Sequence, residues 1–223
     1  MSNKEETISN WERRFRQLAL FVARIALGYL FFTQLWWKLP PTFGCPADFA
    51  FTTGTVEANG RAQLQRTSGL CDWAGVEQVW STGPRPFFVA DTPGDGKIAI
   101  DLGWLARLNG SFIQSVVQPN IQWFGWVIFL SESFIFVSLF FGLFSRLGGL
   151  VALGMSAQLM IGLAGIRNPL EWEWGYNLMV VLALVNLAFA PGRVLGLDAL
   201  LRPRWQKAAA GGNKIAGLLA RLT

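Results

Sequence analysis

Four apolar stretches, residues 18–38, 121–144, 147–166 and 172–190, fall as one alone, then about eighty mostly polar residues, then three in quick succession. Each approaches the roughly 20 residues a helix needs to cross a bilayer. Segments this apolar are buried in lipid or against one another, which excludes a soluble enzyme. The spacing predicts an all-α integral membrane protein, a four-transmembrane-helix bundle with a large extracytoplasmic loop at 39–120 between helices 1 and 2. A segment 1–17 precedes the bundle and a basic tail 191–223 follows it. Lys38, Pro40 and Pro41 stand where a cleaved leader would have small residues, so the first stretch reads as a retained helix.

The net charge of +5 matters less than its distribution. Eleven of the 19 basic residues precede the first stretch, follow the last, or sit at Arg146 in the turn between the second and third. Six others lie on the opposite side, nearly all in a loop too long to count fully toward orientation. The bias places both termini in the cytoplasm, beside an anionic leaflet, and argues against a nucleic-acid partner. Tryptophan points the same way. Trp36, Trp37, Trp123, Trp126, Trp172 and Trp174 all fall at the outer boundary, where amphipathic indole rings prefer to sit.

Cys45 and Cys71 both lie in the outward loop, where a disulfide is chemically permitted. A structural staple closing about 26 residues would contribute roughly 3 kcal/mol. A redox-active pair is the other reading, although no Cys-x-x-Cys spacing depresses a thiol.

Ser9 to Glu12 has the form of a capping box, so a helix is expected to start near Asn10, and the prolines after Lys38 are expected to end it. Within the loop, 87–90 and 97–100 flank a Pro-Gly-Asp-Gly turn and read as a short β-hairpin. From Asp101, a candidate N-cap, apolar residues recur at three- and four-residue steps to Val116. This predicts an interfacial amphipathic helix that leads directly into the second stretch through Pro119 and Asn120 and lies on the outer membrane surface or over the bundle mouth. At the far end, 208–213 reads as a flexible linker before a short basic amphipathic helix.

Polar residues inside the stretches are the candidates for function, because a charged side chain at depth costs about 3 kcal/mol and such groups face the bundle interior. Glu132 lies about 16 Å below the outer end of its helix and Arg24 about 9 Å above the inner boundary, depths that permit a pair. Gln158, Tyr176, Asn177 and Asn186 extend the polar interior, and Gly154, Gln158, Gly162 and Gly165 share one face where another helix can approach. Lys38 is expected to snorkel outward beside Trp36 and Trp37. These groups hold helices in register, line a quinone or other small-ligand site with Glu132 or Arg24, or carry protons. All three readings stay open on the residues alone. Arg146, in its short turn, reads more as a topology anchor than as a ligand-binding group. With no histidine and two cysteines, no His-ligated haem, chlorophyll or typical catalytic zinc, and no self-held iron–sulfur cluster, is expected. Walker and Gly-x-Gly-x-x-Gly loops are missing. Redox chemistry would borrow its carrier from a partner or a membrane quinone.

Three short segments carry a resemblance. Arg24-Ile-Ala-Leu-Gly28, Gly142-Leu-Phe-Ser-Arg146 following Glu132, and Gly192-Arg-Val-Leu-Gly196-Leu-Asp198 resemble the DoxX/DoxD family of small four-helix membrane proteins. The resemblance implies a bacterial or archaeal cytoplasmic-membrane subunit of a quinone-linked redox complex of the thiosulfate:quinone oxidoreductase type. By position, Arg24, Glu132 and Arg146 carry over, with Glu132 and Arg24 expected in catalysis and Arg146 toward a quinone or small ligand; Gln158, Tyr176 and Asn177 join that ligand site from their place in the polar interior rather than from the resemblance. The alternative is a non-catalytic structural or assembly subunit of a larger respiratory or photosynthetic complex. In either case partner subunits would dock through the outer loop and the termini.

Overall fold

The computed structural model describes residues 9–51, 55–58, 61–64, 69–83, 86–92, 96–163 and 173–223. Helix α1 (Asn10–Leu35) opens as its capping box requires, with the Glu12 amide donating to Ser9 Oγ at 3.2 Å. It ends at Leu35, before the prolines. The Trp37 indole donates to the Thr33 carbonyl at 3.1 Å and the Lys38 amide to the Leu35 carbonyl at 3.1 Å, so a hydrogen-bonded turn follows the helix end.

Strands β1 (Thr55–Ala58) and β2 (Arg61–Leu64) pair antiparallel, helix α2 spans Leu70–Trp80, and β3 (Pro86–Thr92) pairs antiparallel with β4 (Gly96–Asp101). The β1–β2 ribbon and α2 have no counterpart in the sequence expectations. The β3–β4 pair falls where a hairpin is expected at 87–90 and 97–100, so of the four short strands it is β1 and β2 that the expected architecture omits.

Helix α3 (Gly103–Phe112) starts with Asp101 accepting from the Gly103 amide at 2.5 Å. It runs on through Pro119 without a break. A π turn (Ile113–Val117) and a 3₁₀ turn (Gln118–Asn120) carry it into α4 (Ile121–Phe141) as 39 helical residues. Pro119 falls early in a 3₁₀ turn, where a missing amide costs little. At 1.5 Å per residue this element is about 58 Å long, nearly twice the hydrocarbon thickness of a bilayer. Helices α5 (Ser145–Leu163) and α6 (Glu173–Phe189) follow, then α7 (Gly192–Leu195), α8 (Leu197–Ala210) and α9 (Lys214–Leu222). The expected linker at 208–213 is shortened, because Ala208 to Ala210 form the last turn of α8. Among the described residues, Asn10–Leu35, Gly103–Phe141 and Ser145–Leu163 are long and apolar enough to span a membrane, and Gly175–Phe189 is a shorter apolar helix.

The chain forms two compact units. One comprises residues 1–31, 134–151 and 182–223; the other comprises 32–133 and 152–181. In the first, Leu27, Phe31, Ile135, Leu139 and Ala183 are fully buried. Its helices approach at glycines. A Cβ at Gly28 would meet the Phe140 amide at 3.1 Å, one at Gly148 would meet Ser138 Oγ at 2.1 Å, and one at Gly149 would meet the Leu187 amide at 2.6 Å. The second unit has its own core of Phe43, Cys45, Leu70, Cys71, Ala74, Ile113, Val117 and Ile121. The Cys45–Cys71 disulfide lies inside it, joining the segment after α1 to the start of α2.

Candidate functional site

In the second unit, Glu132 is the charged group at the heart of α4, 2% exposed, and its partner is Lys38. Lys38 Nζ lies 2.5 Å from Glu132 Oε1, with both side chains nearly closed to solvent. Two expectations are corrected here. Lys38 does not snorkel outward, because the turn after Leu35 directs its side chain inward, and the ion pair of Glu132 is with Lys38 rather than Arg24. Among the described residues Glu132 Oε2 has no hydrogen-bond partner. A buried carboxylate paired on one oxygen can accept a donor or carry a proton on the other.

Gln158 of α5 belongs to a different polar group. Its Nε2 donates to Glu77 Oε2 at 2.6 Å, and Asn109 Nδ2 donates to the same oxygen at 2.6 Å. Glu77, 4% exposed, comes from α2 in the loop. Loop and span are thus joined by a carboxylate that accepts two amides. A Cβ at Gly162 would lie 2.3 Å from Glu77 Oε2, so the small residue admits this side chain, whereas a Cβ at Gly154 would meet open space. The expected small-residue face is corrected accordingly: Gly162 receives Glu77, Gly154 receives nothing, and Gly165 lies outside the described residues. Neither Glu77 nor Asn109 was among the expected site residues. The local signal that could have found Glu77 is its place among Trp73, Ala74, Val76 and Val79.

Tyr176 is buried on α6 while Asn177 is exposed, a correction to the shared polar interior expected of them. Adjacent residues of a helix are about 100° apart, which here puts Tyr176 on the buried side and Asn177 on the exposed one. Trp36, Trp123 and Trp126 are exposed, Trp37 stacks edge-on against Trp73 at 5.9 Å, and Trp172 and the side chain of Trp174 lie outside the described residues. An open groove of about 580 Å³ is lined by Asp48, Phe49, Gln118, Asn120, Gln122 and Trp123, none of them an expected site residue.

In the first unit, the three resemblance segments converge. Arg24 is 1% exposed, donates from Nη2 to the Leu195 carbonyl at 2.6 Å, and sits 5.2 Å from the Phe21 ring centre. A Cβ at Gly142 would fall 2.0 Å from Arg24 Nη1 and one at Gly196 2.4 Å, so the guanidinium fits only because both are glycine. Gly142, at φ +66°, ends α4 with the Leu143 amide donating to the Ser138 carbonyl at 2.9 Å. Asp198, fully buried, accepts from the Phe144 amide at 2.7 Å, the Ser145 amide at 2.8 Å and Ser145 Oγ at 2.7 Å. Arg146 donates to the Leu187 carbonyl at 3.2 Å and the Ala188 carbonyl at 3.4 Å, tying the start of α5 to the end of α6. Arg24, Arg146 and Asp198 thus form a structural knot at the helix ends. Arg24 Nε and Nη1 lack hydrogen-bond partners among the described residues.

No curated protein and no solved structure matches the chain. A family model does, over residues 105–221, a segment that begins in α3, holds Glu132, Gln158 and Arg146, and excludes α1 with Arg24 and Lys38. That model is described as TQO small subunit DoxD and covers more than half of the sequence, so the chain belongs to the DoxD family and is a multi-pass membrane protein.

Proposed function

We propose that this protein is a four-span membrane subunit of a quinone-linked redox complex of the thiosulfate:quinone oxidoreductase type, with both termini cytoplasmic. The family match supports the class of complex. The observation that carries the chemical role is the buried Lys38–Glu132 pair with its second carboxylate oxygen unpaired. Reducing a quinone takes up two protons with two electrons, and a carboxylate shielded from water can pass protons to a reacting oxygen. In this reading Glu132 is the proton carrier and Lys38, rather than Arg24, sets its charge. The electrons come from a partner subunit or directly from thiosulfate.

The test is turnover of thiosulfate with a soluble quinone analogue, using the complex purified in mild detergent. Glu132→Gln together with Lys38→Met, which leaves neither buried charge stranded, should abolish turnover with subunit abundance unchanged, while undiminished turnover would refute the role of Glu132. The same purification should recover stoichiometric partner subunits; a solitary monodisperse protein would count against a complex.

A further inference from the structure

Residues 191–223 carry Arg193, Arg202, Arg204, Lys207, Lys214 and Arg221 against a single acidic residue, Asp198. That carboxylate is fully buried and both of its oxygens are committed to Phe144 and Ser145. It therefore offers no negative charge to the surface. Helices α8 and α9 fold back on each other through Gly211 and Gly212: Asn213 caps α9 by accepting from the Ala216 amide at 3.0 Å, and a Cβ at Gly217 would lie 3.8 Å from Ala209 Cβ. Arg193 donates to the Thr223 carbonyl and so pins the end of α9 to α7.

Cations crowd this corner. Burial holds the Arg193 guanidinium below the usual arginine range, Arg202 and Arg146 push it the same way, and Asp198 acts against them. Arg202 Nε is buried with no hydrogen-bond partner among the described residues. On the same helices Leu200, Ile215 and Leu218 are exposed, at 68%, 72% and 57%. Exposed aliphatic side chains interleaved with the exposed cations Arg204, Lys207, Lys214 and Arg221 suit a phospholipid leaflet, which presents phosphate above an apolar layer. A nucleic acid would leave the aliphatic groups without a partner.

We propose that the α8–α9 hairpin binds anionic phospholipid, its arginines and lysines holding the phosphate while Leu200, Ile215 and Leu218 enter the acyl boundary. This surface is independent of the redox reading.

Native mass spectrometry of the full chain in detergent, titrated with short-chain phosphatidylglycerol or phosphatidylcholine, tests it. Phosphatidylglycerol should be retained in preference. Lys207→Gln with Lys214→Gln, two exposed positions, should weaken that retention roughly 25-fold, at about fivefold per cation, and leave phosphatidylcholine unchanged. Arg193→Gln with Arg202→Gln should act in the same direction. Arg107→Gln on α3, which also lowers net charge, should have no effect. Equal retention of the two lipids, or retention untouched by both double variants, would overturn the proposal. So would loss caused equally by Arg107→Gln, which would mark a general charge effect. Displacement of phosphatidylglycerol by millimolar inorganic phosphate would assign the site to a free anion and overturn the lipid.

Discussion

Asp198 holds the first turn of α5 from 53 residues away, its Oδ2 accepting both the amide and the hydroxyl of Ser145. A helix N-terminus leaves amides without intrahelical partners and carries positive potential, so a carboxylate there satisfies both needs at once. The capping residue is normally the local neighbour; here that position is Phe144, in a left-handed conformation at φ 51°, and the cap comes from the end of the chain instead.

Asp198→Ala should therefore destabilise the protein by about 3 kcal/mol, since it strands two buried amides and a hydroxyl. Asp198→Asn should cost less, because one amide oxygen still accepts. The unfolding midpoint in mixed detergent measures both, and equal midpoints for Asp198→Ala and wild type would refute the cap.

Lys38 and Glu132 should behave as a coupled buried pair. Lys38→Met alone leaves a carboxylate in the interior without its counter-charge and should cost about 3 to 5 kcal/mol. Adding Glu132→Gln removes the stranded charge and should recover most of that loss. A double-mutant cycle on unfolding free energy gives the coupling, and additive losses would show that the 2.5 Å contact contributes nothing.

Legibility differed by kind of feature. The apolar stretches and the capping box at Ser9 follow local rules and are readable along the chain. The partner of Glu132 was not, because depth arithmetic along straight helices puts Arg24 within reach and cannot foresee that the turn after Leu35 brings in Lys38. Glu77 escaped for a related reason: a carboxylate in a loop helix reads as solvated until the two amides that bury it, Asn109 and Gln158, are known. The short segments carrying Arg24, Gly142 and Asp198 were visible as a pattern, yet their common purpose is a contact among residues more than 50 positions apart.

The glycines divide by what surrounds them. At Gly196 an added Cβ would meet Arg24 Nη1 at 2.4 Å, the Gly192 carbonyl at 2.8 Å and the Gly142 Cα at 2.9 Å, and two of those three are backbone atoms that cannot move aside. Gly196→Ala should destabilise by about 2 kcal/mol or more. At Gly154, in mid-helix with nothing within 4 Å, the same change should stabilise by up to about 1 kcal/mol through helix propensity. Thermal midpoints that moved in the same direction for both would contradict the packing around Arg24.

The disulfide should resist reduction in the folded protein because both sulfurs sit in the core of the second unit, with Cys71 1% and Cys45 9% exposed. Thiol–disulfide exchange needs in-line access of a thiolate to one sulfur, so attack requires local opening of the packing of Phe43, Leu70 and Ile113. Treatment with a mild reductant followed by alkylation and mass spectrometry should leave Cys45 and Cys71 unlabelled under native conditions and label both once denaturant is added. Cys45→Ser with Cys71→Ser removes the crosslink over 26 residues and should lower stability by about 3 kcal/mol. Rapid native-state labelling would place at least one sulfur at the surface and undo the assignment of this pair to a structural role.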